Sequence, residues 1–178
     1  MTVVDAATKG IDRAFLTDWA ARFLKAWNAL DGQAVASLCT DEVVWRDPSS
    51  PEPFTGRDGV RGFVDMTGRA FPDFHVVETA PPYFLPDCPR VLSPYRMTGT
   101  MLGPMNAFAP SGRRISVPGV DHWTFKDELL CSYDSYYDTL AVARQLGILP
   151  PSGSRAERLM ARMQHAQARL QRWKARAS

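Results

Sequence analysis

The sequence is poor in the residues that most enzymatic reactions borrow. Its 178 residues hold three cysteines and three histidines. Cys39, Cys88 and Cys131 are odd in number and widely spaced, which argues for free thiols in a reducing compartment rather than a disulfide framework. No two of His75, His122 and His165 stand at zinc-ligand spacing, and neither a CxxC nor an HExxH run occurs, so no metal is expected. A glycine-rich phosphate loop and a dinucleotide fingerprint are also missing, and no cofactor is expected. No apolar run approaches the roughly 20 residues that a membrane span needs. The opening MTVVDAATKGIDRAF carries acids and lacks a charged start followed by an apolar block. It does not read as a secretory signal, and the cytoplasm is the expected location.

What is present fits one packed domain. Apolar residues make up 45% and charged residues 22%, a balance that supports a proper core at this length. The net charge of +2 hides an asymmetry: residues 1–153 carry net −4 and residues 154–178 carry net +6. The shift falls at Pro150, Pro151, Ser152 and Gly153, a helix-ending linker. Residues 1–150 are therefore read as one domain and residues 151–178 as a separate basic helix.

Within the domain, Phe15, Trp19, Phe23, Trp27 and Leu30 recur at helical spacing and predict a helix over 12–30. Shorter helices are expected over roughly 32–40 and over 57–71, with a short strand from Glu42 to Asp47 between them. After Pro72-Asp73 the character turns to strands: Phe74–Ala80, Arg90–Thr100, Arg114–Phe125 and Leu129–Tyr137, then a helix over Asp138–Leu146. Helices followed by consecutive strands predict an α+β fold with an antiparallel sheet. Curled around the early helices, such a sheet can enclose a one-sided pocket.

The chemistry in this pattern rests on two carboxylates. Asp47 ends the stretch VVWRD, and Asp121 sits inside VPGVDHWTF. Strand alternation puts Asp121, Trp123 and Phe125 on one face and turns His122 to the other. An ionised Asp on an inner strand face is costly unless it is paired or protonated. Two acids aimed into one apolar cavity are driven to different pKa values, so that one serves as base while the other stays a proton donor. The bland readings are a turn cap for Asp47, since Asp-Pro starts turns, and a pairing of Asp121 with Arg114 or backbone donors.

Several motifs carry a resemblance. AWNALDGQAVASLCTDEVVWRDP, AFPDFH at 70–75, TGTMLG at 98–103, PSGRR at 110–114, VDHWTF at 120–125 and RQLG at 144–147 occur in an order and spacing that resemble the nuclear transport factor 2-like superfamily. Within it, the chain is similar to the SnoaL-like polyketide cyclases and the ketosteroid isomerases, over about residues 15–148. The resemblance implies a cone: helices packed inside a strongly curved antiparallel sheet whose mouth is a ligand pocket. It also implies roles. Asp47 matches the general base of the isomerases, and Asp121 matches their protonated oxyanion donor or the acid/base of the cyclases. Phe23 stands where the isomerases have a donor Tyr, and Met101 where many cyclase relatives have His.

The expected function is cofactor-free proton transfer on a bulky, apolar, polyketide- or terpenoid-like molecule: cyclisation, isomerisation or dehydration, with Asp121 and Asp47 catalytic. Trp27, Phe23, Trp45, Phe63, Met66, Met97, Met101, Met105, Phe108, Trp123 and Tyr133 are the expected lining. The resemblance also admits a rival, epoxide opening as in the epoxide hydrolases of the same superfamily, which implies an Arg between two acids, with Arg96 or Arg114 as the candidates. Another is a non-catalytic binding or assembly protein on the same fold. In the tail, Leu159, Met163, Ala166, Leu170 and Trp173 form a heptad seam beside a stripe of arginines. That helix is expected to cover apolar surface on its own body or on a second subunit. A homodimer is the expected assembly, and neither nucleic acid nor a membrane is an expected partner.

Overall fold

The computed structural model describes residues 11–84 and 89–177, so Cys88 lies outside the described residues. Helix α1 (Arg13–Asn28) begins where Asp12 accepts a hydrogen bond from the Phe15 amide at 2.7 Å. This satisfies one of the free donors of the first turn. Its inward stripe is Leu16, Trp19, Phe23 and Trp27, as the periodicity requires. Helix α2 (Gly32–Ser37) is shorter than the sequence reading, because its cap at Leu38 gives way to strand β1 (Cys39–Arg46). Helix α3 (Gly56–Ala70) buries Val60, Phe63, Val64 and Thr67 and follows a two-residue strand β2 (Phe54–Thr55).

The remaining strands are β3 (His75–Glu78), β4 (Tyr83–Phe84), β5 (Arg90–Thr100), β6 (Arg114–Lys126) and β7 (Leu129–Tyr137). The sheet order is β2-β1-β7-β6-β5-β3, with β4 added beside β5. All pairings are antiparallel except β1 with β7, which is parallel. Strand β2 and helix α3 separate β1 in sequence from the strand meander, and β1, besides pairing with β2, joins that meander alongside β7 in parallel. Helix α4 (Thr139–Leu146) is capped by Asp138 at one end and by left-handed Gly147 at the other. Helix α5 (Arg155–Ala177) follows the proline linker.

The concave face of the sheet meets α1 and α3 through aromatic rings. Trp19, Trp45 and Trp123 are fully buried. Trp45 stacks on Tyr133 with ring centres 3.6 Å apart, and Trp19 stacks on Phe23 at 4.9 Å. A second cluster, with Phe71, Tyr95, Met97, Met101, Ile115, Val117 and Leu146, fills the other end of the cone. Helix α5 does not add to either. Leu159, Met163, Leu170 and Trp173 are 53–67% exposed, and the helix meets the body through the Arg144–Glu157 pair at 3.0 Å. The heptad seam therefore covers no surface of its own body.

Candidate functional site

Strand β6 places the acid. Its inward residues are Ile115, Val117, Gly119, Asp121, Trp123 and Phe125, as the alternation predicted. Pairing across the sheet sets Ser93 on β5, Asp121 on β6 and Ser135 on β7 in one row. Asp121 is 5% exposed, and its Oδ1 has no hydrogen-bond partner among the described residues. Burial pushes its carboxyl up to about 8, and the charge of Asp47 adds to the rise. The Tyr133 and Ser135 hydroxyls and the Trp123 indole stand around the carboxyl and oppose that rise without cancelling it. The Trp123 N–H is itself buried and unpartnered among the described residues, which leaves a donor and a carboxyl side by side with bonding capacity to spare. Arg114, the sequence-level candidate for neutralising Asp121, pairs with Asp73 at 3.0 Å on the outside instead.

Asp47 combines both readings. Its Oδ1 accepts from the Ser49 amide at 2.8 Å, the turn role that Asp-Pro suggests. The same oxygen accepts from the Tyr137 hydroxyl at 2.8 Å, and the residue lines the cavity that Asp121 also lines. Burial, then the Asp47 carboxylate, holds the Tyr137 phenol firmly protonated. Tyr133 and Tyr95 are likewise held protonated, first by burial and then by Asp121.

The cavity is about 220 Å³ and lies where the two core clusters meet. Of the residues the sequence singled out, Phe23, Trp27, Phe63, Met97, Met105, Phe108, Trp123 and Tyr133 line this cavity. Trp45, Met66 and Met101 do not. Trp45 is turned flat against Tyr133, Met66 packs on the first cluster, and Met101 is buried in the second. They support the wall from behind. Exposed members of the lining, Pro48, Glu78, Asn106, Phe108, Thr139 and Ile148, mark the opening.

Sequence reasoning missed Tyr95, Ser135, Ser93 and Glu78, all of which face the cavity. The Tyr95 and Ser135 hydroxyls are 2.8 Å apart across the intervening strand. That reach needs Gly119, because a Cβ there would run into the Tyr95 phenol. A glycine inside a strand pattern signals such a close approach, so this signal was present in VPGVD. His122 turns outward, its Nδ1 3.6 Å from Asp134, which also pairs with Arg46 at 3.1 Å. Cys39 is buried, and burial pushes its thiol up to about 12, so it is no nucleophile at neutral pH. Among the described residues no three His, Cys, Asp or Glu side chains gather as metal ligands, and no helix is long and apolar enough to cross a membrane.

A curved, open sheet closed over helices, with its cavity on the concave side, is the cone of the nuclear transport factor 2-like superfamily. Within that class the sequence profile of the SnoaL-like domain matches residues 20–133, and the chain belongs to that family. Among solved structures, the chain is similar to TsrD from Streptomyces laurentii, at 24% identity and a TM-score of 0.68 over 79% of this chain and 100% of that one. A candidate SnoaL-like polyketide cyclase from Jannaschia sp. CCS1 matches at 24% identity and 0.67, with 79% and 100% covered. AclR, a candidate hydroxylase from Streptomyces galilaeus, matches at 19% and 0.67, with 90% and 98% covered. These likenesses carry the fold and leave the reaction to the site. Comparison with curated proteins gives no significant match.

Proposed function

We propose that this chain is a cofactor-free acid/base enzyme that moves a proton on a bulky apolar ketone-like molecule, in the manner of a cyclase, isomerase or dehydratase. The observation that carries the reading is Asp121, buried, unpartnered at Oδ1 and raised to about 8, in the same cavity as Asp47. In the proposed step the Asp47 carboxylate takes the proton from carbon next to a carbonyl. The neutral Asp121 carboxyl donates a hydrogen bond or its proton to the oxygen on which charge develops. The resulting enol either takes a proton back at a new carbon or attacks a second carbonyl of the same molecule. The aromatic wall would hold the folded substrate near that geometry.

Epoxide opening finds less support. Arg96 reaches Ser116 and Arg114 reaches Asp73, and neither lines the cavity. We also propose a cytoplasmic homodimer, in which the exposed seam of α5 packs on a second copy. The net −4 body and the net +6 tail favour such a contact.

The acid/base reading is tested with 2-tetralone in D₂O, following exchange of its α-protons by NMR. The protein is expected to speed that exchange, and Asp121→Asn and Asp47→Asn are each expected to lower the enhancement about 10²–10⁴-fold. No enhancement, or enhancement untouched by both substitutions in folded protein, would remove the proposed role.

A further inference from the structure

We infer that the cavity selects its ligand by charge: it is built for an aromatic or fused-ring molecule bearing a protonated amine, and it refuses carboxylates. This rests on reading the cavity as the substrate site. The lining contains Asp47, Glu78 and Asp121 and, among the described residues, no Lys, Arg or His. Outside the cavity, Asp18, Asp41, Asp58, Asp73, Asp134 and Glu157 each pair with an arginine, while other surface acids such as Glu42 and Glu52 form no pair among the described residues and are met by solvent. No such pair is formed by the cavity acids among the described residues. Independently, Asp121 is buried, faces the cavity and leaves Oδ1 unpartnered, so a bonding position there is unfilled by the protein.

The register shows how the charges bracket the space. Glu78 on β3 pairs with Tyr95 on β5, Tyr95 with Gly119 on β6, and Gly119 with Tyr137 on β7. Tyr137 in turn donates to Asp47. One row thus links the two carboxylates: it spans three strand spacings, about 14 Å along the curved sheet, from Glu78 to Tyr137, whose hydroxyl holds Asp47. Asp121 lies one inward position from this row. Burial raises the Glu78 carboxyl, so the environment at the rim penalises an uncompensated negative charge. A ligand carboxylate entering here would lose water beside charges of its own sign and meet no cation. An ammonium would meet Glu78 at the rim, Asp47 beside Tyr137, and the rings of Trp27, Phe23 and Tyr95 within. Glu78 is, on this reading, a specificity-determining residue.

The test is isothermal titration of the full chain with 2-naphthylmethylamine, 2-naphthylmethanol and 2-naphthoate. The amine is expected to bind about ten times more tightly than the alcohol, and the carboxylate more weakly than either. Glu78→Gln, which keeps the side chain's size and removes its charge at the rim, is expected to remove most of the amine's advantage over the alcohol. An alcohol that binds as tightly as the amine, a carboxylate that matches the alcohol, or no binding by any probe would overturn the inference. None of these titrations requires turnover. A failure of amine preference leaves the 2-tetralone exchange standing, and a failure of exchange leaves the titrations standing.

Discussion

At the scale of single residues, the energetics of Asp121 follow from where β6 puts it. A carboxyl raised from 3.8 to about 8 stays protonated in the folded state while the unfolded chain ionises. The folded state therefore holds more protons between pH 4 and pH 8, and linkage makes stability fall as pH rises through that window. Asp121→Asn removes this dependence. Its melting temperature relative to the parent is expected to climb from pH 4 to pH 8 and to level beyond it, in scans across that range. A constant difference would mean that Asp121 ionises normally. Gly119 offers a second check. Gly119→Ala forces a methyl against the Tyr95 phenol that bonds Ser135. Overpacking of this kind costs about 1–3 kcal/mol, to be read from urea denaturation midpoints.

At the scale of elements, the helices that close the cone are set by their ends. Helix α4 contributes Val142, Ala143 and Leu146 to the cavity wall and begins at Asp138, which accepts from the Ala141 amide at 2.9 Å. Asp138→Ala is expected to cost about 1 kcal/mol and to speed hydrogen exchange in α4 ahead of the rest of the molecule. Helix α3 offers the opposite case. A Cβ at Gly62 meets nothing within 4 Å, so Gly62→Ala changes no contact in the fold. It is expected to stabilise by about 0.5–1 kcal/mol, because alanine loses less backbone freedom in a helix. Unchanged or reduced stability in denaturant would place a partner over that face.

At the scale of the whole molecule, the body and the tail are expected to be separable. The body owes its order to the interlocked rings around Trp19, Trp45 and Trp123, none of which touches α5. A chain ending at Gly153 is expected to keep its fold and cavity and to lose the dimeric mass that the seam is proposed to support. Light scattering after size exclusion reads this directly. A truncated chain of unchanged oligomeric mass would free the seam from that role. A full-length chain that runs as a monomer would do the same.

The periodicity of α1, the alternation in β6 and the proline linker were all legible in the sequence, because helix and strand periods are local properties of the chain. The ends of β5 and β7 fall where their turn residues place them. Local pattern also aimed Asp121 inward and His122 outward. What the sequence could not decide were properties that depend on register and curvature between strands far apart in the chain. The parallel pairing of β1 with β7 is one. The row from Glu78 through Tyr95 and Tyr137 to Asp47 is another, since it joins residues from four strands and a loop. Trp45 and Met101 read as lining by composition, yet stacking on Tyr133 and burial in the second cluster put them behind the wall. Whether an apolar residue faces a cavity or its backing depends on how closely neighbouring elements approach, and only the tertiary structure fixes that distance.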